Sequence, residues 1–290
     1  MSEKVLRLPP NDIGRDFVIG DIHFKTIELY EGLKALDFNS AIDRVIAVGD
    51  LIDRGKGVLD SLKLLGEPWF FTLQGNHEQM LINAYRTNPD APYSAHGAGW
   101  WSTIADESKA MIVNKLESLP IVIEIECPSG IVGVVHADVP SGMPWGEFVE
   151  GIADPKVEQT ALWGRSRVAQ QSHAGVKGVW RVCVGHTWTS SPMRLGNVLA
   201  LDCTGGRVGA LGIYCVRDDA IYVAGTLMCS DKAEMPSKQL RDEAREPQRL
   251  TDALHGLSLS TKDSRASKLD ELKAAFTGTG IAGVVERLFK

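Results

Sequence analysis

Early in the chain, short apolar runs alternate with longer segments whose apolar residues recur every three or four positions. Residues 17–20 (Phe-Val-Ile-Gly) predict a buried strand, and Ile27, Leu29, Leu33 and Leu36 then recur at roughly helical spacing. Residues 44–48 (Arg-Val-Ile-Ala-Val) predict a second strand. The helical pattern of Val58, Leu59, Leu62, Leu64 and Leu65 follows and closes at Gly66. A third strand is expected at 69–73, with a helix over 79–85. Strands alternating with helices predict a sheet with helices on its faces. Residues 88–102, rich in Pro, Gly, Ser and Asn, read as a long loop, and a helix is expected over 107–116. Beyond Pro120 the elements shorten. Strands at 121–126, 131–136, 180–186, 198–203, 209–216 and 220–226 look antiparallel and predict a second sheet packed on the first. The expected fold is an α/β, or α+β, sandwich: two packed mixed β-sheets flanked by helices.

From about residue 228 the pattern changes. Residues 231–267 are charged and interrupted by proline, with a modest helical stretch at 237–245. Leu269, Leu272 and Phe276 then return at helical spacing. This divides the chain into a globular domain, 1–227, and a charged, partly helical C-terminal appendage, 228–290, to which the sequence assigns no role. With 44% hydrophobic and 23% charged residues the composition is that of a soluble protein, and no stretch reads as a signal peptide or membrane span. A cytoplasmic location and no membrane partner are expected. The net charge of −6 argues against a nucleic-acid binder with a broad basic surface. Cys127, Cys183, Cys203, Cys215 and Cys229 are odd in number and mostly set in apolar runs, a pattern of reduced thiols rather than of disulfides or a Cys-rich zinc site.

The polar residues at strand ends carry the chemistry. Asp21 and His23 follow the first strand, Asp50 the second, and Asn76 and His77 the third; His136 and His186 end two later ones. Carboxylate, imidazole and amide oxygen together suit Mn²⁺, Fe²⁺ or Zn²⁺. The ligands suffice for two ions, and a two-metal hydrolytic site uses a carboxylate shared across about 3.5–4 Å. Asp50, from the middle strand of three, is the natural bridge.

Gly20-Asp21-Ile22-His23, Gly49-Asp50-Leu51-Ile52-Asp53-Arg54-Gly55 and Gly75-Asn76-His77-Glu78 resemble the three signatures of the phosphoprotein phosphatases of the metallophosphoesterase superfamily. The resemblance is closest to the bacteriophage lambda-type serine/threonine phosphatases. Gly97-Ala98-Gly99-Trp100, Val135-His136-Ala137-Asp138 and Val184-Gly185-His186-Thr187 match that subgroup in order and spacing. The resemblance implies a metallophosphoesterase fold and a metal-dependent phosphomonoesterase, a serine/threonine or dual-specificity protein phosphatase acting on a phosphoprotein or small phosphoester. It implies two divalent cations, Mn²⁺ first, with Fe²⁺ or Zn²⁺ as substitutes. Asp21, His23 and Asp50 would hold one, and Asp50, Asn76, His136 and His186 the other. A shared hydroxide would attack phosphorus. Arg54 and Arg165 would bind the phosphate beside Asn76, with Arg167 a substitute for Arg165. His77, kept protonated by Asp53, would protonate the leaving group.

Two residues depart from the family pattern: Phe24 stands where glycine is usual, and Gln74 where lambda-type relatives often carry arginine. Rival readings are a symmetrical diadenosine tetraphosphatase, whose motif typically ends in Asp where Glu78 stands, and an inactive phosphatase-like binding module blocked by Phe24. Trp100 and Trp101 read as core or loop anchors. Asp202 reads as a support for His186 or its turn, and His96, His173 and His255 as ordinary surface or loop histidines.

Overall fold

The structure is a computed structural model that describes residues 4–206 and 209–230. In chain order the elements are β1 (Val5–Leu8), β2 (Asp16–Ile19), α1 (Thr26–Ala35), β3 (Arg44–Ala47), α2 (Val58–Leu64), β4 (Phe70–Thr72) and α3 (Asn76–Thr87). A kinked 3-10 segment (Ala95–Thr103) leads to α4 (Asp106–Glu117), β5 (Val122–Cys127), β6 (Gly130–Val135), α5 (Trp145–Glu150), α6 (Pro155–Trp163) and α7 (Ser166–Ala169). Then come β7 (Arg181–Val184), β8 (Met193–Leu195), β9 (Val198–Ala200), β10 (Gly212–Cys215), β11 (Ala220–Val223) and β12 (Thr226–Ser230).

The strands form two mixed six-stranded sheets, β12-β11-β10-β2-β3-β4 and β1-β5-β6-β7-β9-β8. Side chains alternate between faces along each strand, which divides the core into three layers. Val18, Ile46 and Val48 meet Ile123, Val132, Val134 and Cys183 between the sheets. On the outer face of the first sheet, Phe17, Ile19, Val45 and Ala47 pack with Leu29 and Leu33 of α1 and Leu62 of α2. Val182 and Val184 of the second sheet meet Trp145, Phe148 and Leu162 of α5 and α6. Each fully buried Val, Leu, Ile or Phe among them contributes about 1.5–3 kcal/mol.

The two-sheet sandwich matches the expectation, but strand membership differs. β10 and β11 belong to the first sheet, with β10 antiparallel to β2. The second sheet is not wholly antiparallel either, because β7 runs parallel to both β6 and β9. A period-two pattern tells which face a residue takes and not which edge a strand joins. β2 has one edge on β3, and the hairpin turning at Arg217-Asp218-Asp219 lies against the other. β12 crosses the expected boundary at 227/228; the rest of the appendage, with its expected helical stretches, lies outside the described residues. Among the described residues no helix is long and apolar enough to cross a membrane.

Candidate metal centre

The same end of both sheets presents the strand-terminal residues. Asp21 and His23 follow β2, Asp50 follows β3, His136 follows β6 and His186 follows β7, while Asn76 and His77 form the first turn of α3. That helix starts earlier than its apolar pattern suggests, because Gly75 caps it and the Glu78 carboxylate accepts the Gly75 N–H at 2.8 Å. Glu78, which sequence reasoning left out of the site, also accepts the N–H groups of Asp50 (3.0 Å), Leu51 (2.9 Å) and Ile52 (3.2 Å). One buried carboxylate thus ties the turn bearing Asp50 to the helix bearing Asn76 and His77. Burial, reinforced by the Asp50 charge, raises its pKa to about 7 against those four donors.

The turns are strained. His23 (φ 46°), Phe24 (58°), Asp50 (48°), Asp53 (74°), Arg54 (65°) and His186 (63°) all take left-handed backbone, at about 1 kcal/mol each. Close approach of the loops relies on glycine: a Cβ at Gly75 would stand 2.1 Å from Asp50 Oδ1, and one at Gly185 1.9 Å from Asp21 Oδ1.

The donor atoms fit divalent cations. Nδ1–H of His23 donates to the Ile52 carbonyl at 2.8 Å, which leaves the Nε2 lone pair 3.6 Å from Asp50 Oδ2. Nδ1–H of His136 donates to the Val48 carbonyl at 2.8 Å, and its Nε2 lone pair lies 2.9 Å from Asn76 Oδ1 and 3.4 Å from Asp50 Oδ1. His186 Nδ1 approaches the same amide oxygen at 2.8 Å, and its Nε2 is buried without a hydrogen-bond partner. The His136 lone pair thus faces Asn76 Oδ1 and Asp50, and a neutral His186 with its proton on Nδ1 toward Asn76 keeps a buried lone pair on Nε2, an arrangement that a cation satisfies. Two groups have all their donor atoms within 4.8 Å of one another: His23, Asp50 and His77; and Asp50, His136 and His186. Asp50 belongs to both. Asp21 stands beside them, its two oxygens each 3.1 Å from the His186 backbone N–H.

The electrostatics agree. Burial pushes His23 down to about 3 despite Asp50, and burial, His136 and Arg165 push His186 to about 3. Burial also lowers His136, so these imidazoles are held neutral, the form that binds metal. Burial and the charges of Asp202 and Asp50 raise Asp21 well above the carboxylate range. Asp50 moves the other way: the imidazoles around it and the His77 N–H outweigh its burial and keep it ionised.

His77 sits at the rim of this cluster. Its Nδ1 lies 2.6 Å from Asp53 Oδ2, and Trp100 Nε1–H donates to the other Asp53 oxygen at 2.6 Å. Burial lowers the His77 pKa, but Asp50 and then Asp53 outweigh it and the net shift is upward. Arg54 spans the mouth, with Nη2 2.9 Å from His77 Nε2 and Nη1 3.1 Å from His23 Nε2 and 2.8 Å from the Gly205 carbonyl. Arg165 is exposed and donates to the His186 carbonyl at 3.1 Å. Arg167 is no substitute for it: buried, its Nε donates to Asp138 at 2.8 Å and its Nη2 to the Val139 carbonyl.

Several other expectations resolve. Phe24 is buried, edge-on to Trp100 at 5.1 Å, so it does not block the mouth. Gln74 turns away and donates to the Glu117 and Leu119 carbonyls at the end of α4. Asp202 accepts the Thr204 and Gly205 N–H groups and so holds its own turn. His173 is exposed and His255 lies outside the described residues. His96 is exposed, as expected, and its ring meets that of His77 edge-on at 6.1 Å. The carbonyl of the next residue, Gly97, which opens the Gly97–Trp100 motif, accepts the Arg54 N–H at 3.3 Å.

Fold and site together define a metallohydrolase, a two-sheet sandwich with carboxylates and imidazoles gathered at its strand ends. The family description of calcineurin-like phosphoesterases matches residues 17–159. Over 208 residues the chain is 32% identical to serine/threonine-protein phosphatase 2 of Escherichia coli (strain K12), covering 69% of this chain and 92% of that protein. Over 154 residues it is 30% identical to the symmetrical bis(5'-nucleosyl)-tetraphosphatase of Coxiella burnetii (strain Dugway 5J108-111), covering 51% and 49%. Among solved structures, the cold-active protein-tyrosine phosphatase of a psychrophilic Shewanella shares the fold, with TM-score 0.53, 17% identity and coverage of 79% and 82%. The chain belongs to the calcineurin-like metallophosphoesterase family, with bacterial lambda-type serine/threonine phosphatases among its relatives. It is a hydrolase of a family that uses a dinuclear metal site.

Proposed function

We propose that this chain is a serine/threonine protein phosphatase, and the observation that carries the reading is the placement of His77 between Asp53 and Arg54 beside Asp50. Asp21, His23 and Asp50 would hold one divalent cation, and Asp50, Asn76, His136 and His186 a second, with Mn²⁺ the first candidate and Fe²⁺ or Zn²⁺ able to replace it. When bound, such a pair supplies Lewis-acid charge to the phosphoryl group and a water activated near neutral pH. Asp53 fixes the His77 ring through Nδ1, so Nε2 is the atom that faces the substrate. As the phosphorus–oxygen ester bond breaks, the bond's electron pair leaves with the alkoxide, which takes the proton from Nε2. A proton on Nε2 also removes the lone pair to which Arg54 Nη2 donates, freeing that arm of the guanidinium for a phosphate oxygen. Arg165, whose Nη1 donates to the His186 carbonyl, would supply a second guanidinium to the same group.

The similarity to the E. coli enzyme, which covers nearly all of that protein, supports a phosphoprotein substrate. The half-length similarity to the tetraphosphatase keeps dinucleotides as a second reading. The Mn²⁺-loaded full chain is expected to hydrolyse phosphoserine and phosphothreonine peptides with kcat/KM roughly tenfold or more above that for diadenosine tetraphosphate. The reverse order would replace the reading. His77→Asn is expected to lower turnover by about 10²–10⁴ with metal content unchanged; loss of the metals would make His77 structural.

A further inference from the structure

The phosphate-binding residues account for one end of a substrate and leave open what meets the rest of it. Five large apolar side chains are strongly exposed among the described residues, and Trp188, at 58%, is the aromatic one. Tryptophan is large and mostly buried in folded proteins, so an open indole beside a catalytic mouth is an observation to explain.

Its surroundings place it at that mouth. Trp188 is two residues beyond His186. Its Nε1–H donates inward to the Cys203 carbonyl at 3.2 Å, and the next residue, Thr189, donates its N–H to the Asp202 carbonyl at 2.9 Å. The segment is thereby fastened to the turn at Gly205 and Gly206, and that turn is sandwiched. A Cβ on Gly206 would stand 2.3 Å from Arg54 Cδ and 2.8 Å from His23 Cδ2, whereas one on Gly205 would stand 3.0 Å from Trp188 Cδ1. Only the thickness of a glycine turn separates the indole from the guanidinium and imidazole of the site. The carbonyl of that same Gly205 holds Arg54.

We propose that Trp188 determines specificity: it is a stacking platform for an apolar or aromatic side chain next to the phosphorylated residue of a peptide. Its one polar atom is committed to Cys203, so the exposed ring selects by contact area and not by hydrogen bonding. Arg54 and Arg165 already make the mouth cationic, which favours an uncharged or acidic neighbour over a basic one. This rests on the protein-phosphatase reading above, which is also why the occupant is a peptide side chain rather than a nucleobase.

The test uses the Mn²⁺-loaded full chain and two phosphoserine peptides that differ only in the flanking residues, Leu and Phe in one and Gly in the other, with diadenosine tetraphosphate as third substrate. The unaltered protein is expected to prefer the Leu/Phe peptide by about tenfold in kcat/KM, expressed in KM. Trp188→Ala is expected to collapse that ratio toward one, and Trp188→Phe to restore most of it. No preference in the unaltered protein, an equal loss on both peptides, or a loss confined to diadenosine tetraphosphate would each overturn the proposal. Failure to hydrolyse either peptide while cleaving the dinucleotide would instead overturn the protein-phosphatase reading.

Discussion

Phe24 shows how a single residue can trade conformational strain against packing. It keeps the left-handed backbone for which glycine is the usual choice, at about 1 kcal/mol, while burial of its ring against Trp100 contributes about 2–3 kcal/mol. Phe24→Gly is therefore expected to destabilise the protein by about 1–2 kcal/mol in urea unfolding, and to slow turnover because Trp100 steadies Asp53. Glu78→Gln places an NH₂ group among four backbone donors, and a loss of about 2–4 kcal/mol is expected in the same measurement. At the centre, Asp50→Asn is expected to abolish turnover and reduce bound metal, as read by elemental analysis; survival of both would remove Asp50 from the proposed set of shared ligands. The residues that converge on the site were legible because each follows a strand. Glu78 and Trp188 were not, since their roles depend on contacts with segments distant in sequence that no local pattern records.

Between elements, Asp219 joins the two sheets. From the turn after β10 it accepts from Tyr214 at 2.6 Å, from Arg181 of β7 at 2.6 Å, and lies 3.8 Å from Arg194 of β8. Burial would raise its pKa, but the Arg181 and Tyr214 hydrogen bonds outweigh that and lower it. A depressed carboxylate contributes stability above the unfolded value near 4, and that contribution is lost as pH falls through the folded value. Asp219→Asn is expected to cost about 1–3 kcal/mol near neutral pH and to make the acid limb of the stability curve shallower, as urea midpoints across pH 3–7 would show. Between residues 17 and 127 the strands and α-helices were legible from apolar spacing, whereas β1 and the 3-10 segment at Ala95–Thr103 were not anticipated. The short helices α5 to α7 were not anticipated, and hairpin β10–β11 was placed in the wrong sheet, because alternation is silent about edges.

At the scale of the whole molecule, a cation held by the donor atoms around Asn76 and Asp50 would couple its binding to folding. Chelation followed by Mn²⁺ at about a hundred times its Kd is expected to raise Tm by roughly 5–10 °C, from about 2.7 kcal/mol of linkage. An unchanged melting curve would mean that the chain does not bind Mn²⁺ under those conditions. The two-sheet architecture was readable because strand–helix alternation gives way beyond Pro120 to short strands separated by turns. The pairing of β10 with β2 sets Ile213 opposite Ile19, and it bears on how the chain is made. While a ribosome is still extending the chain toward residue 215, the strand that delivers Asp21 and His23 has one bare edge, open to any other strand nearby. Stalled nascent chains shorter than this are expected to be degraded readily by protease and to associate with holdase chaperones, and release from both should coincide with emergence of the β10–β11 hairpin.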